Sequence, residues 1–204
     1  MSANPASLLA HAGIADVARR LAGHEGAMAG AGEEVRRAAV ALVLRPAEAD
    51  ALDLLFIKRA DYPGDPWSGQ IAFPGGRHEL VDASLRETAA RETWEETGID
   101  LTRDGLFLGV LDELWPQTPV LPPIVVRPYV AAIHPETVLT LSDEVAAAFW
   151  APLDVLRRPD ATFEAAVTVR GEERRVSALH HADYTIWGMT ERIFRDFLAR
   201  LASP

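Results

Sequence analysis

The stretch from Ile71 to Ile99 constrains this chain more than any other. Pro74-Gly75-Gly76 stops the short apolar run Ile71 to Phe73, and Ser84 followed by Glu87 fits a capping box that opens a helix. Gly98 is the kind of residue that ends one. A strand, a tight turn and a helix are therefore expected in that order. Inside the helix Glu92, Glu95 and Glu96 stand at i, i+3 and i+4, so their carboxylates share one face. Like charges at this spacing repel by about a few tenths of a kcal/mol per exposed pair. They also sit in the last turns, where the helix dipole favours cations. A hard divalent cation would offset both costs, and Mg²⁺ takes one or two carboxylates together with waters and substrate phosphates. Glu87, Arg91 and Glu95 form an i, i+4 ladder in which Arg91 can hold Glu95 in place. Gly75 and Gly76 permit close backbone approach to a phosphate or a metal. A Glu-rich face is also what a plain solvated helix carries; the Pro-Gly-Gly before it and the Gly-Ile after it favour a site.

Around this segment the pattern predicts layers of strand and helix, an α/β or α+β class with a mixed sheet. Leu8, Leu9, Val17 and Leu21 fit the face of one or two short helices between Ser7 and Leu21, and the Gly/Ala-rich stretch Gly23 to Gly32 reads as a linker. This divides the chain into an N-terminal helical arm and linker, residues 1–34, and a main domain, residues 35–204. Strands are expected at Ala38 to Leu44, Leu52 to Ile57, Leu106 to Leu111, Ile124 to Ile133 and Ala147 to Trp150. Pro128 marks the fourth of these as an edge or a bulge. A short helix at Leu153 to Arg158, a hairpin turned at Arg170-Gly171-Glu172, a short strand at Tyr184 to Trp187 and an amphipathic helix from Met189 to Leu201 complete the chain.

The net charge of −10 argues against broad binding of a nucleic-acid backbone, while leaving room for a small phosphorylated substrate beside a metal. With no cysteine there is no disulfide scaffold, thiol nucleophile or cysteine zinc site. No apolar run is long enough to span a bilayer, so no membrane partner is expected. The opening residues lack a secretory signal, and the expected location is cytoplasmic.

Arg91-Glu92-Thr93-Trp94-Glu95-Glu96-Thr97-Gly98-Ile99 resembles the second half of the Nudix box, the signature of the Nudix hydrolases. The first half is one residue longer than the general pattern; the family's first Glu falls at Ala83, with Asp82 or Glu79 as stand-ins. The longer spacing, Phe73-Pro74-Gly75-Gly76 before the box and Asp82-Ala83-Ser84 at the helix start resemble the coenzyme A pyrophosphatase branch. The leader Leu54-Leu55, Arg59-Ala60 and Gly69, and the later Ser142 to Val145 and Trp187-Gly188-Met189-Thr190, are similar to that branch too. Gly64 and Asp65 depart from it where the leader carries a second Arg, as does the loop Trp115 to Pro123.

The resemblance implies a Nudix-type α/β/α sandwich. It also implies a Mg²⁺-dependent diphosphatase, with Mn²⁺ as an alternative, in which water attacks a phosphorus of a nucleoside diphosphate derivative. Coenzyme A or acyl-coenzyme A is the expected substrate; ADP-ribose, dinucleotide polyphosphates and nucleotide sugars are the alternatives. Glu92 and Glu96 are the expected metal ligands, with Glu95 as a further or shared one and a carbonyl of Gly75 or Gly76 completing the shell. Glu144, Glu92 and Glu95 are candidates for the general base, and Arg91 for holding the carboxylates. Arg59 and Arg127 are candidates for phosphate binding, and Trp115 and Tyr129 for stacking on an adenine. Two rival readings are a nucleotide-binding module of the same fold and a purely structural acidic helix. The arm packs either on its own domain or on a second subunit, which leaves a homodimer open.

Overall fold

The computed structural model describes residues 4–30, 32, 35–64, 67–116, 123–169 and 171–202. A 3-10 turn, Pro5–Ala10, leads into α1 (Ala12–Leu21). Then follow β1 (Arg36–Pro46), β2 (Leu52–Arg59), β3 (Ile71–Ala72), β4 (Gly75–Arg77) and α2 (Leu85–Thr97). β5 (Leu106–Val110), β6 (Ile124–Ala132), β7 (Val145–Pro152) and the single turn α3 (Leu153–Leu156) come next. β8 (Thr162–Val169), β9 (Glu172–His181), β10 (Tyr184–Trp187) and α4 (Met189–Ala202) close the chain. The expected turn residue Arg170 and positions 117–122 of the expected loop lie outside the described residues.

β1 organises a mixed sheet. It runs parallel to β6 over nine residues, from Arg36↔Ile124 to Leu44↔Ala132, and β5 flanks β6 on the far side. Its other edge is shared: Leu44 to Pro46 pair with β2, whereas Ala38 to Val40 pair with β4. β2 likewise pairs with β3 at Ile57 and Lys58, and with β7 along its opposite edge. The chain from Ile71 to Arg77 is thus a wedge between β1 and β2, with Phe73-Pro74 at its bend. The wedge forces the two strands apart and opens the sheet beside Gly75-Gly76. β8, β9 and β10 form a separate three-stranded antiparallel sheet.

Because β1 is an inner strand, both of its faces are buried, and its residues are apolar or small throughout Ala38 to Leu44. Ala39, Ala41 and Val43 face α2 together with Ala89, Ala90, Ile99 and Ala131. Leu42 and Leu44 face the other way, into a core built with Phe56, Phe194 and Phe197. Helices therefore cover both faces, which gives the expected α/β/α layering.

One expectation is narrowed and another corrected. Pro128 lies in β6 between β1 and β5, which excludes the edge but not the bulge: the register of β5 against β6 shifts close by, between Phe107 and Gly109. Its carbonyl accepts from Leu111 N–H, so its nitrogen also faces β5, just past the end of that strand. The stretch after α1 is not a loose linker either: Ala27 N–H donates to Asp112 Oδ1 (2.7 Å) and Ala29 N–H to Glu113 Oε2 (2.9 Å). The arm packs on its own domain, with Leu8, Ile14, Val17 and Leu21 in the same core as β1 and α4.

Candidate active site

α2 begins as its sequence predicts. Ser84 Oγ accepts from Glu87 N–H (3.2 Å), and the Glu87 carboxylate accepts from Ala83 N–H (2.9 Å). It ends at Gly98, whose φ of +73° needs no Cβ. Between these caps the helix turns Glu96 inward against the wedge. The Glu96 side chain is 4% exposed, and its Oε2 accepts the Gly75 N–H at 2.9 Å. Burial pushes this carboxyl up to about 8, against the pull of the Gly75 N–H and of Arg59, whose Nη1 is 3.8 Å away. Glu92, one turn earlier, is also raised, chiefly by burial. A solvated acidic face does not describe these two groups. Glu95, by contrast, is half exposed.

Arg91 uses all five of its N–H donors, four of them to tie carboxylates together. Nε donates to Asp82 Oδ1 (2.8 Å) and Nη2 to Asp82 Oδ2 and to the Arg77 carbonyl (both 3.0 Å). Nη1 is shared between Glu92 Oε1 (3.0 Å) and Glu95 Oε2 (2.9 Å). Of the two stand-ins that the lengthened box offered, Asp82 is the one that meets Arg91. Its side chain is 3% exposed and also accepts from Thr88 Oγ1 (2.9 Å) and Glu79 N–H (3.0 Å). The Arg91 hydrogen bonds hold this carboxyl well below the usual carboxylate range. Glu79, the other stand-in, meets Asp82 through its backbone rather than Arg91 through its side chain.

The split in the sheet opens into a cavity of about 1140 Å³. Glu92, Glu95, Glu96 and Glu144 line one part of it, with Arg59, Gly75, Gly76 and Arg91 beside them. Glu144 comes from the turn before β7, held by a hydrogen bond from Ala60 N–H to its carbonyl (2.8 Å), and its charge adds to the upward push on Glu92 and Glu96. The rest of the wall mixes apolar side chains, Ile71, Phe73, Ile124, Val126, Met189 and Ile193, with polar ones such as Gln70, Ser142, Asp143 and Thr190.

Arg127 and Trp115 are not among the lining residues. On β6, Ile124 and Val126 face the cavity, so Arg127, one position on, faces the opposite side. There it pairs with Glu113 (3.3 Å) and donates to the Glu25 carbonyl (2.6 Å), fastening the N-terminal segment. Tyr129 lies on that side too, edge-on to Phe107.

The donor set suits a hard divalent cation. Two poorly hydrated carboxylates stand one turn apart, and a Cβ at Gly76 would collide with the Glu92 carboxyl, so only glycine leaves that group its place. Among the described residues no three acidic or histidine side chains are gathered tightly enough to hold a metal as they stand. Each carboxylate is turned instead to a protein donor. One or two carboxylates completed by water is nonetheless the habitual shell of Mg²⁺.

A family model described as the NUDIX domain matches residues 35–171. The chain belongs to the Nudix hydrolase family. Nudix pyrophosphohydrolases act on nucleoside diphosphate derivatives and generally use divalent metal cations. The Nudix hydrolase NudL of Enterobacter sp. (strain 638) is 34% identical over 173 residues, covering 81% of this chain and 83% of that protein. NudL of Cronobacter sakazakii is 35% identical over 135 residues, 66% of this chain and 68% of that one. An uncharacterized protein of Schizosaccharomyces pombe is 38% identical over 116 residues; these are 52% of this chain but span only 34% of that protein. The crystal structure of a MutT/nudix family protein from Enterococcus faecalis superposes with a TM-score of 0.58 at 22% identity, over 84% of this chain and 63% of that one, a likeness of fold. Among the described residues no helix is long and apolar enough to cross a membrane.

Proposed function

We propose that this Nudix protein hydrolyses the diphosphate bond of coenzyme A or an acyl-coenzyme A with Mg²⁺, releasing 3′,5′-ADP and phosphopantetheine or its acyl form. The observation that carries the reading is the convergence of Glu92 and Glu96 on Gly75-Gly76 at the wall of a large cavity. The apolar side chains that share this wall with the carboxylates suit a substrate whose diphosphate bears a long, weakly polar arm.

In this mechanism Glu92 and Glu96 would hold the cation, with Glu95 and a Gly76 carbonyl as further donors. When bound there, a divalent cation would acidify a water and neutralise charge on the phosphates. Arg91 restrains Glu92 and Glu95 so that neither swings away as charge develops. Glu144, on a different loop, takes the proton of the attacking water, with Glu95 as its rival for that role. Arg59, next to Glu96, binds a phosphate oxygen through its guanidinium.

Chromatographic analysis of products tests this reading. Protein and Mg²⁺ are incubated separately with coenzyme A, acetyl-coenzyme A, ADP-ribose, a diadenosine polyphosphate and UDP-glucose. We expect 3′,5′-ADP from the two coenzyme A substrates and none after chelation of the metal. Cleavage of another member of the set alone would contradict the substrate. If nothing is cut with any divalent metal, the nucleotide-binding module takes its place.

A further inference from the structure

We propose that Tyr62 is the platform on which the nucleobase of the substrate stacks, a role that rests on the nucleoside diphosphate reading above. Tyr62 belongs to the loop between β2 and β3 and lines the cavity with half of its surface (50%) exposed. Among the described residues its ring meets no other ring, and its hydroxyl has no hydrogen bond. The other exposed aromatic side chains, Trp94 and Phe163, are not part of the wall. Phe73 is in the wall but is buried and stacked on Phe56, 5.0 Å between centroids. Trp67 shares the loop with its indole nitrogen buried. Tyr62 alone among these presents a large uncovered aromatic face to the cavity.

The backbone that carries the ring is held. Ser68 Oγ accepts from Tyr62 N–H and donates to the Tyr62 carbonyl, both at 2.8 Å, closing the loop on itself. Gly69 (φ +67°) sits where a Cβ would press on the Asp61 carboxylate, so the closure tolerates little else. With the backbone held, a tyrosine has only two side-chain torsions to order when a ligand covers it. Stacking acts on the π-face that every base has, so Tyr62 should favour a nucleotide over the same phosphate ester without a base, whatever the base's edge carries.

Calorimetric titration with AMP and with ribose 5-phosphate, in the presence of Mg²⁺, tests this on wild type, Tyr62→Ala and Tyr62→Phe. Wild type and Tyr62→Phe should bind AMP about tenfold more tightly than ribose 5-phosphate, and Tyr62→Ala should lose about that factor for AMP alone. Unchanged AMP affinity in Tyr62→Ala, or an equal loss for both ligands, would overturn the proposal. These affinities are read without turnover. A wild type that shows this pattern yet cleaves no diphosphate would support the platform and overturn the hydrolytic reading.

Discussion

Glu96→Gln should slow diphosphate cleavage by about a thousandfold or more at saturating Mg²⁺, roughly 4 kcal/mol of transition-state stabilisation, while the protein stays folded. The two halves of this expectation come from the same geometry. A glutamine keeps the shape of Glu96, and its carbonyl still accepts the Gly75 N–H that Glu96 Oε2 accepts now. It also removes a carboxylate that burial makes hard to ionise, so thermal stability in metal-free buffer at neutral pH should not fall. What it cannot do is balance the charge of a hard divalent cation. Steady-state turnover and a thermal melt on the same preparation check both halves. A variant that kept more than a tenth of wild-type turnover would remove Glu96 from the metal shell. One that lost turnover only by unfolding would show a structural carboxyl.

Arg91→Ala should be the most damaging single change to stability in the site, costing about 3–5 kcal/mol. The guanidinium makes two hydrogen bonds to Asp82, whose side chain is 3% exposed. Removing it leaves that carboxylate buried with Thr88, the Glu79 N–H and, at 3.7 Å, His78 Nδ1 as its remaining partners. The same change frees Glu92 and Glu95, so turnover should fall as well. Asp82 lies below its ordinary pKa of 3.8, held there first by the Arg91 hydrogen bonds. A depressed carboxyl stabilises the fold above the unfolded pKa, and that stabilisation is lost as the pH falls through the lower, folded value. Wild type should therefore keep this contribution until strongly acid conditions, and Arg91→Ala should lack it at neutral pH. Urea unfolding at pH 7 and pH 3 measures the difference. Arg91→Lys should not rescue it, since an ammonium cannot reproduce the fork that meets both Asp82 oxygens. Equal unfolding midpoints for wild type and Arg91→Ala at pH 7 would show that the network adds nothing.

Features written into short stretches of sequence were legible there. α2 was readable from end to end because its signals are local: Ser84 with Glu87, Gly98, and three glutamates on one face. The strands β1, β2 and β6 announced themselves as apolar runs. β4 did not, because Gly75-Gly76-Arg77 has no strand propensity and pairs only because the wedge brings it against Ala38 to Val40. Pro128 left an edge and a bulge open for a related reason: only the pairing of β6 with both β1 and β5 excludes the edge. In the site, Glu92 and Glu96 needed only helical spacing. Arg127 needed the parity of β6, which places Val126 in the cavity wall and Arg127 behind the sheet. The choice of Asp82 over Glu79 depended on how an extra residue is absorbed before the helix, a matter of loop geometry that composition does not carry. Tyr62 gave no signal at all, since nothing in Asp61-Tyr62-Pro63 says which way the ring faces.

The affinity of the metal-free protein for Mn²⁺, followed by electron paramagnetic resonance between pH 5.5 and pH 9 (about the range over which a raised carboxylate titrates), tests the metal centre most directly. Burial raises Glu96 from its ordinary 4.5 to about 8. A carboxyl raised in this way stabilises the metal-free fold most below the unfolded pKa, and that stabilisation is lost as the pH rises through about 8. A cation must displace the Glu96 proton below that pH, so wild-type affinity should climb by up to about tenfold per pH unit and level off above pH 8. Glu96→Gln should bind weakly and without this slope. The same weak, pH-independent affinity in wild type and Glu96→Gln would contradict a metal centre at Glu92 and Glu96.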